Sequence, residues 1–277
     1  MVYKPKEMPE EINVTPVHPL VNFAHLLGTV VVVSALVYFV LGAIATQLVT
    51  RISPKLETKI GQQILSTIPT TSTKANLQQR QYLQGILSSV SDSNLRPVPL
   101  TIHIQKSQLA NAVIIPGGHI IVTTALLEEA ESENELAFVL AHELGHHVAK
   151  DPLKGLGRSL VLITVASTLG MGGVSGDIVG LTGSVTHLHY SRQQESAADL
   201  YALSAIVDLY GHGEASLDFF KRIQTKKRDS RGKLSAYLST HPLTQARIDY
   251  LHQIAHQKEW QMTGKETDLP KWFGRSK

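Results

Sequence analysis

Hydrophobic positions along the chain fall into three textures. Between His25 and Arg51, the twenty-five residues LLGTVVVVSALVYFVLGAIATQLVT carry no charge and are apolar on all sides. As a helix the run extends about 37 Å, enough to cross a hydrocarbon core of about 30 Å with some tilt. A transmembrane anchor over 26–50 is expected rather than a buried core helix, because the apolar surface is not confined to one stripe. The second texture has helical spacing: Leu56, Ile60, Ile64 and Ile68 within 54–68, then Leu83, Ile86, Leu87 and Val90 within 74–91. These predict packing helices with no chemistry of their own. The third begins at Val98, where VPLTIHIQ alternates like a strand and NAVIIPGGHIIVTT reads as two short strands joined by Pro116-Gly117-Gly118.

Ser132 followed by Glu135 fits a capping box and predicts a helix from near Glu133 to around Asp151-Pro152. Downstream, SRQQESAADLYAL is helical in pattern, with Glu195 and Asp199 one turn apart and apolar flanks at Ala197, Ala198, Leu200 and Leu203. A second apolar region, Leu160 to Val185, is glycine-rich and broken by Asp177. Two crossings need about forty residues, so a helical hairpin inside the globule or dipping into the membrane interface is expected there. No internal repeat of about 20–50 residues is visible.

Composition narrows the function classes. With 277 residues and 43% hydrophobic content, the chain can form one large or two small domains around a sizeable core. A net charge of +3 lacks the dense single-sign footprint of a nucleic-acid binder, and no nucleic-acid partner is expected. The absence of cysteine excludes a disulfide framework, a thiolate metal site and a cysteine nucleophile together. Ala43-Ile44-Ala45 resembles a signal-peptide cleavage site, but a long leading region with Glu7, Glu10 and Glu11 against Lys4 and Lys6 favours an uncleaved anchor. Arg51, Lys55 and Lys59 follow the span and no Lys or Arg occupies the fifteen residues before it, which places the C-terminal part in the cytoplasm.

Thirteen histidines direct attention to metal, and the helix LAHELGHHVAKD holds the densest group. His142 and His146, four residues apart, lie about 40° apart in angle and about 6 Å apart along the axis, so both imidazoles reach one ion. His147 is displaced by about 140° from His142 and falls off that face. Glu143 sits beside the metal face, where its carboxylate can take a proton from an activated water. HExxH alone is suggestive only, since shuffling this composition produces it in about three of every hundred cases. Context adds weight: a buried segment holding His-Glu-His needs polar partners, and one metal partners all of them. Glu195 completes a two-His, one-Glu set and leaves a fourth position for water, while Asp199 is placed to accept the other N–H of a ligand histidine. His187 and His189 compete for the third position, but as an alternating pair just ahead of the Glu195 helix they read as histidines of a loop or of the surroundings of the ligands.

Taken in order, NAVIIPGGHIIVTTALLE, HELGHH, ESAAD and STHPLTQARI resemble the motif set of the membrane-associated zinc metallopeptidases that include HtpX, the CAAX prenyl endopeptidase and the mitochondrial inner-membrane stress peptidases. The similarity covers about 98–255. It implies one zinc per chain on His142, His146 and Glu195, with Glu143 as the catalytic acid/base. It also implies roles near the substrate for Asn111, His241 and Arg247. Each of the three carries hydrogen-bond donors suited to the oxyanion that forms when water attacks a peptide carbonyl. A hairpin strand can further offer its edge to an extended substrate. The single span sets the chain apart from HtpX and the prenyl endopeptidase and nearer the stress peptidases.

The expected fold is therefore mainly α with a small β-sheet, a zincin-like domain behind one transmembrane helix. Its organisation is an N-terminal tail over 1–25, the anchor, a helical linker region over 51–97, the metallopeptidase domain over 98–255 and a C-terminal tail over 256–277. The expected function is a membrane-anchored zinc metalloendopeptidase acting on proteins or peptides in membrane or misfolded-protein quality control. The rivals are a catalytically silent or latent tethered scaffold, with His241 closing the fourth metal position, and a histidine-rich metal handler binding several ions. KRIQTKKRDSRGK over 221–233, seven cations and one anion, is expected to be a solvated loop that can meet anionic headgroups of the bilayer.

Overall fold

The computed structural model describes residues 18–71, 73–91, 98–169, 190–218, 221–222, 237, 240–242 and 244–273. His187, His189, the apolar stretch 170–185 and the basic residues 223–233 lie outside them. Helix α1 spans Pro19–Val49, seven residues longer at its start than the charge-free run predicts. Pro19 occupies the first turn, where a missing N–H costs nothing, and the His18 ring accepts the Leu20 N–H at 3.3 Å. Only Gly42 and Val49 of α1 are buried, and Val33, Leu36 and Phe39 project outward. Its length and composition suit a membrane span, and nothing in its most apolar window is covered by protein.

Helix α2 (Pro54–Leu65) starts at the Ser53 cap, and α3 (Lys74–Val90) starts at Thr73. Strands β1 (Thr101–Gln105), β2 (Ala112–Ile115) and β3 (His119–Thr123) form a sheet in the order β1-β3-β2. β1 runs parallel to β3 with Ile102 opposite Ile120, and β2 is antiparallel with Val113 opposite Ile121. The Pro116-Gly117-Gly118 turn between β2 and β3 has φ of 84° and 76° at its glycines, a region that side chains with a Cβ resist. α2 crosses this turn at Gly61, where an added Cβ would fall 1.9 Å from the Pro116 carbonyl oxygen.

One sheet face, built on Ile102, Ile104, Ile114, Ile120 and Val122, packs against Leu83, Leu87 and Val90 of α3 and against α5 (Glu133–Val148). α3, grouped with the linker by its position in the sequence, thus shares the main core. The other face places Val113, Ile115 and Ile121 under Ile64, Ile68 and Tyr190. Between sheet and α5 lies the short α4 (Thr124–Glu129). The Ser132 hydroxyl accepts the Glu135 N–H, as the capping-box pattern predicts. The reciprocal bond differs: the Glu135 carboxylate accepts from Glu131 N–H and pairs with Arg222, which draws it one residue upstream. A complete box caps α7 (Arg192–Tyr210) instead, between Ser191 and Gln194.

α5 ends earlier than the pattern predicts. Lys150 adopts a left-handed conformation at φ 57°, and Asp151-Pro152 begin a new helix, α6 (Asp151–Thr168), because proline is as compatible with a first turn as with a stop. The last helix, α8 (Gln245–Gln257), starts at the Thr244 cap. Beyond it the chain folds back over the domain. Glu133 N–H donates to Thr267 O at 2.9 Å, Thr267 N–H donates to Asn134 Oδ1 at 2.8 Å, and Phe273 is fully buried beside Tyr82. The segment expected as a tail therefore helps to close the core.

The contact at Gly61 makes a directional prediction. Gly61→Ala forces α2 off the turn and lowers unfolding free energy by about 1–3 kcal/mol. Gly85→Ala, in α3 with nothing within 4 Å of the new methyl, raises it by about 0.5–1 kcal/mol. Denaturant midpoints of the two variants in detergent check the opposite signs.

Candidate metal centre

α5 is so enclosed that fourteen of its sixteen residues are buried, and His142 and His146 stand on one face at 0% exposure. The Nδ1 atom of His142 lies 2.9 Å from Asp199 Oδ1, and Nδ1 of His146 lies 3.0 Å from Asp151 Oδ2. An ionised carboxylate only accepts, so each Nδ1 carries a proton and each Nε2 is the atom left to face the cluster. Those two Nε2 atoms are 3.2 Å apart. Glu195 Oε2 is 3.6 Å from the first and Glu195 Oε1 is 3.4 Å from the second. Two imidazole nitrogens and both oxygens of one carboxylate thus converge in a site sealed from water.

A cation resolves that convergence. Four donors at about 2.0–2.1 Å in tetrahedral array lie about 3.3–3.4 Å from one another, which matches the observed triangle. His241 supplies the fourth donor of the group. Its Nδ1 is 3.2 Å from His142 Nε2 and 3.0 Å from Glu195 Oε1. The residues present therefore fit a zinc-sized ion by spacing, tautomer and donor chemistry.

The electrostatics show what metal-free burial demands. Burial lowers the pKa of His142 and of His241. Burial works in the same direction on His146, but hydrogen bonds to Asp151 and Glu195 and the Glu143 charge outweigh it and lift His146 to about 9. Burial opposes ionisation of Glu195, yet the charge of His241 and the hydrogen bonds from His146 and His241 hold it well below the usual carboxylate range. Glu143, fully buried, is pushed up to about 7 by desolvation, against the pull of His142 and His146. Its Oε2 accepts the Ile114 N–H at 2.9 Å, and its Oε1 lies 3.4 Å from His241 Nε2.

Three elements beyond α5 set this geometry. α7 crosses α5 where Gly145 meets Ala198, and an added Cβ on Gly145 would lie 2.9 Å from the Ala198 Cα. Ala198 makes this close approach, whereas Ala197, read from sequence as an apolar flank, is exposed on the opposite side of α7. α6 delivers Asp151. From α8, the Arg247 guanidinium grips Asp199 through Nε and Nη2, both at 2.7 Å, and reaches Glu195 Oε2 with Nη1 at 2.9 Å. Nη1 also donates to the Pro242 carbonyl. This guanidinium is thereby engaged in holding two acidic groups, a different task from the oxyanion contact suggested by sequence.

His147 is set apart from the cluster and faces Glu57 of α2 at 3.7 Å. Asn111 fixes the start of β2 through backbone bonds to Thr123, with its side-chain Oδ1 buried, and among the described residues no bond joins it to the histidines. The Tyr237 N–H donates to Ala110 O at 3.1 Å, so Asn111 borders the segment carrying His241. Sequence reasoning missed Asp151, whose only signal is a carboxylate five residues after a ligand candidate. It also missed Tyr190, stacked on His146 at 4.0 Å, and Tyr237, stacked on His241 at 4.6 Å.

Comparison with known proteins identifies the lineage. Residues 77–255 match peptidase family M48. The chain is 29% identical over 180 residues to mitochondrial metalloendopeptidase OMA1 of Arabidopsis thaliana, covering 63% of this chain and 35% of that protein. It is 27% identical over 183 residues to a putative beta-barrel assembly-enhancing protease of Vibrio cholerae, covering 61% and 37%. With OMA1 of Schizosaccharomyces pombe it shares 26% identity over 172 residues, covering 60% and 50%. The matched region thus spans between about a third and a half of these relatives' lengths. Because the family match takes in α3, the sheet, α5 with its paired histidines, α7 and α8, and exceeds half of the chain, this protein belongs to peptidase family M48.

Proposed function

We propose that the protein is a membrane-anchored, zinc-dependent metalloendopeptidase. The observation that carries the reading is the convergence of His142, His146 and Glu195, each fixed in orientation by a neighbouring side chain, beside a buried Glu143 pushed up to about 7. Zinc held there supplies Lewis acidity toward water and the scissile carbonyl. Glu143 takes the proton from the attacking water and returns it to the leaving amine, a task for which a pKa of about 7 is well matched. Asp199 and Asp151 hold the imidazoles in the tautomer that presents Nε2, and Arg247 holds Asp199 and Glu195 in place.

Substrate is assigned to the edge of β2. Asn111 accepts from Thr123 N–H, so by alternation Val113 and Ile115 turn their polar groups toward β3, while Ala112 and Ile114 turn theirs outward. The Ile114 N–H to Glu143 bond agrees with that register. An extended peptide paired on this edge brings its carbonyl to the acid/base with little demand on sequence. Anchoring by α1, basic residues just after the span and relatives named for mitochondrial proteolysis and β-barrel assembly support work on membrane or misfolded proteins, with the catalytic domain on the cytoplasmic side.

A second reading concerns latency. His241 sits 3.2 Å from His142 Nε2 and within reach of Glu143 as well, in the position that water and substrate would need. The centre is buried throughout, so His241 must withdraw before cleavage.

Glu143→Gln retains one zinc per chain by elemental analysis and loses about 10²–10⁴-fold in casein cleavage. Undiminished cleavage by that variant rejects the mechanism. His241→Ala retains zinc and cleaves faster than wild type if the latent reading holds; unchanged or slower cleavage rejects it. Asp151→Asn keeps the fold by circular dichroism and weakens zinc about 10–100-fold in chelator competition.

A further inference from the structure

We propose that α6 is a second membrane element, a re-entrant helix whose apolar half enters the bilayer alongside α1 and is solvated there by lipid acyl chains. The proposal rests on α1 crossing the bilayer. α6 packs along α1 in the antiparallel sense: Lys150 Nζ donates to the carbonyls of Val49, Thr50 and Ile52, and seven residues later Gly157 meets Ala45 and Val49. Small residues at that crossing, Ala45 and Gly157, let the backbones approach as helices do in lipid. From Gly157 to Leu169 the helix advances about 18 Å back along α1, well into a hydrocarbon core of about 30 Å and short of its far side.

The surface chemistry of α6 divides at the same level. Its first turns are buried in the domain at Asp151, Pro152, Leu153 and Gly155. Past Arg158, SLVLITVASTL holds no charge, and Leu160, Leu162 and Leu169 are 46%, 55% and 45% exposed on more than one side of the helix. Exposed apolar helix surface of this kind is costly in water and favourable in lipid. Charge supports the same occupant. Arg51, Lys55, Lys154 and Arg158 belong to the turns bordering the domain side of the α1–α6 contact, where cationic side chains meet anionic headgroups. Because Asp151 opens α6 and holds His146, this arrangement fixes the histidine–glutamate cluster at the membrane surface.

The chain contains no cysteine, so single-cysteine variants need no altered background. Full-length protein carrying one nitroxide at position 33, 77, 160, 162 or 169 is reconstituted in phosphatidylcholine–phosphatidylglycerol vesicles, and collision with oxygen and with a water-soluble nickel chelate is measured. The expected oxygen-to-nickel ratio at 160, 162 and 169 is several-fold above that at Leu77 of α3, near that at Val33 of α1, and rises from 160 to 169. Lipid exposure at Val33 with aqueous exposure at 160 and 162 overturns the proposal alone. Aqueous exposure at Val33 as well overturns the spanning of α1 and the proposal with it.

Discussion

Two imidazoles turned toward each other in a sealed site, with a carboxylate beside both, are the contact around which this fold is organised. Buried polar groups do not persist without compensation, and three other helices supply it. α6 brings Asp151, α7 brings Glu195 and Asp199, and α8 brings Arg247. The acids at 151, 195 and 199 outnumber the cations that face them, Arg247 and Lys154, so the centre retains a negative charge that favours a cation. The proton drawn to His146 in the metal-free protein occupies the same electrostatic role.

Much of the architecture follows from patterns visible in the amino-acid sequence, and the gaps have physical causes. Period-2 alternation marked β1, two apolar runs joined by Pro116-Gly117-Gly118 marked β2 and β3, which are buried on both faces, and apolar spacing marked α2 and α3. The extent of α5 escaped because Lys150 takes a left-handed turn that its residue type does not advertise. Helical geometry placed His142 beside His146 but had no access to Asp151, which lies beyond that turn, or to the tyrosines at 190 and 237 that wall the cluster. Arg247 stood in a recognisable motif, yet its engagement with two carboxylates depends on how α8 docks on α7, a tertiary fact. Arg222 teaches the same lesson: a residue within a basic run is tied to Glu135 rather than left to solvent.

The sheet links these parts to the chemistry. β2 is bonded on one side to β3 and on the other approaches α5, so one strand serves both as a structural edge and as the donor that fixes Glu143. α2 locks the turn at the end of that strand through Gly61, and its Glu57 meets His147 on the flank of the catalytic helix. Disturbance of α2 therefore reaches the acid/base through a rigid hairpin, without any contact to the histidines themselves.

The crossing of α5 and α7 at Gly145 and Ala198 has a consequence for ion choice. His142 and His146 ride on one backbone and Glu195 on the other, so the separation of the two helices sets how wide the donor triangle opens. Contact without any side chain at 145 holds it near the span suited to bonds of about 2.0–2.2 Å, short of the about 2.3–2.6 Å that calcium requires. The glycine inside the motif thus sets how closely the two donor-bearing backbones stand.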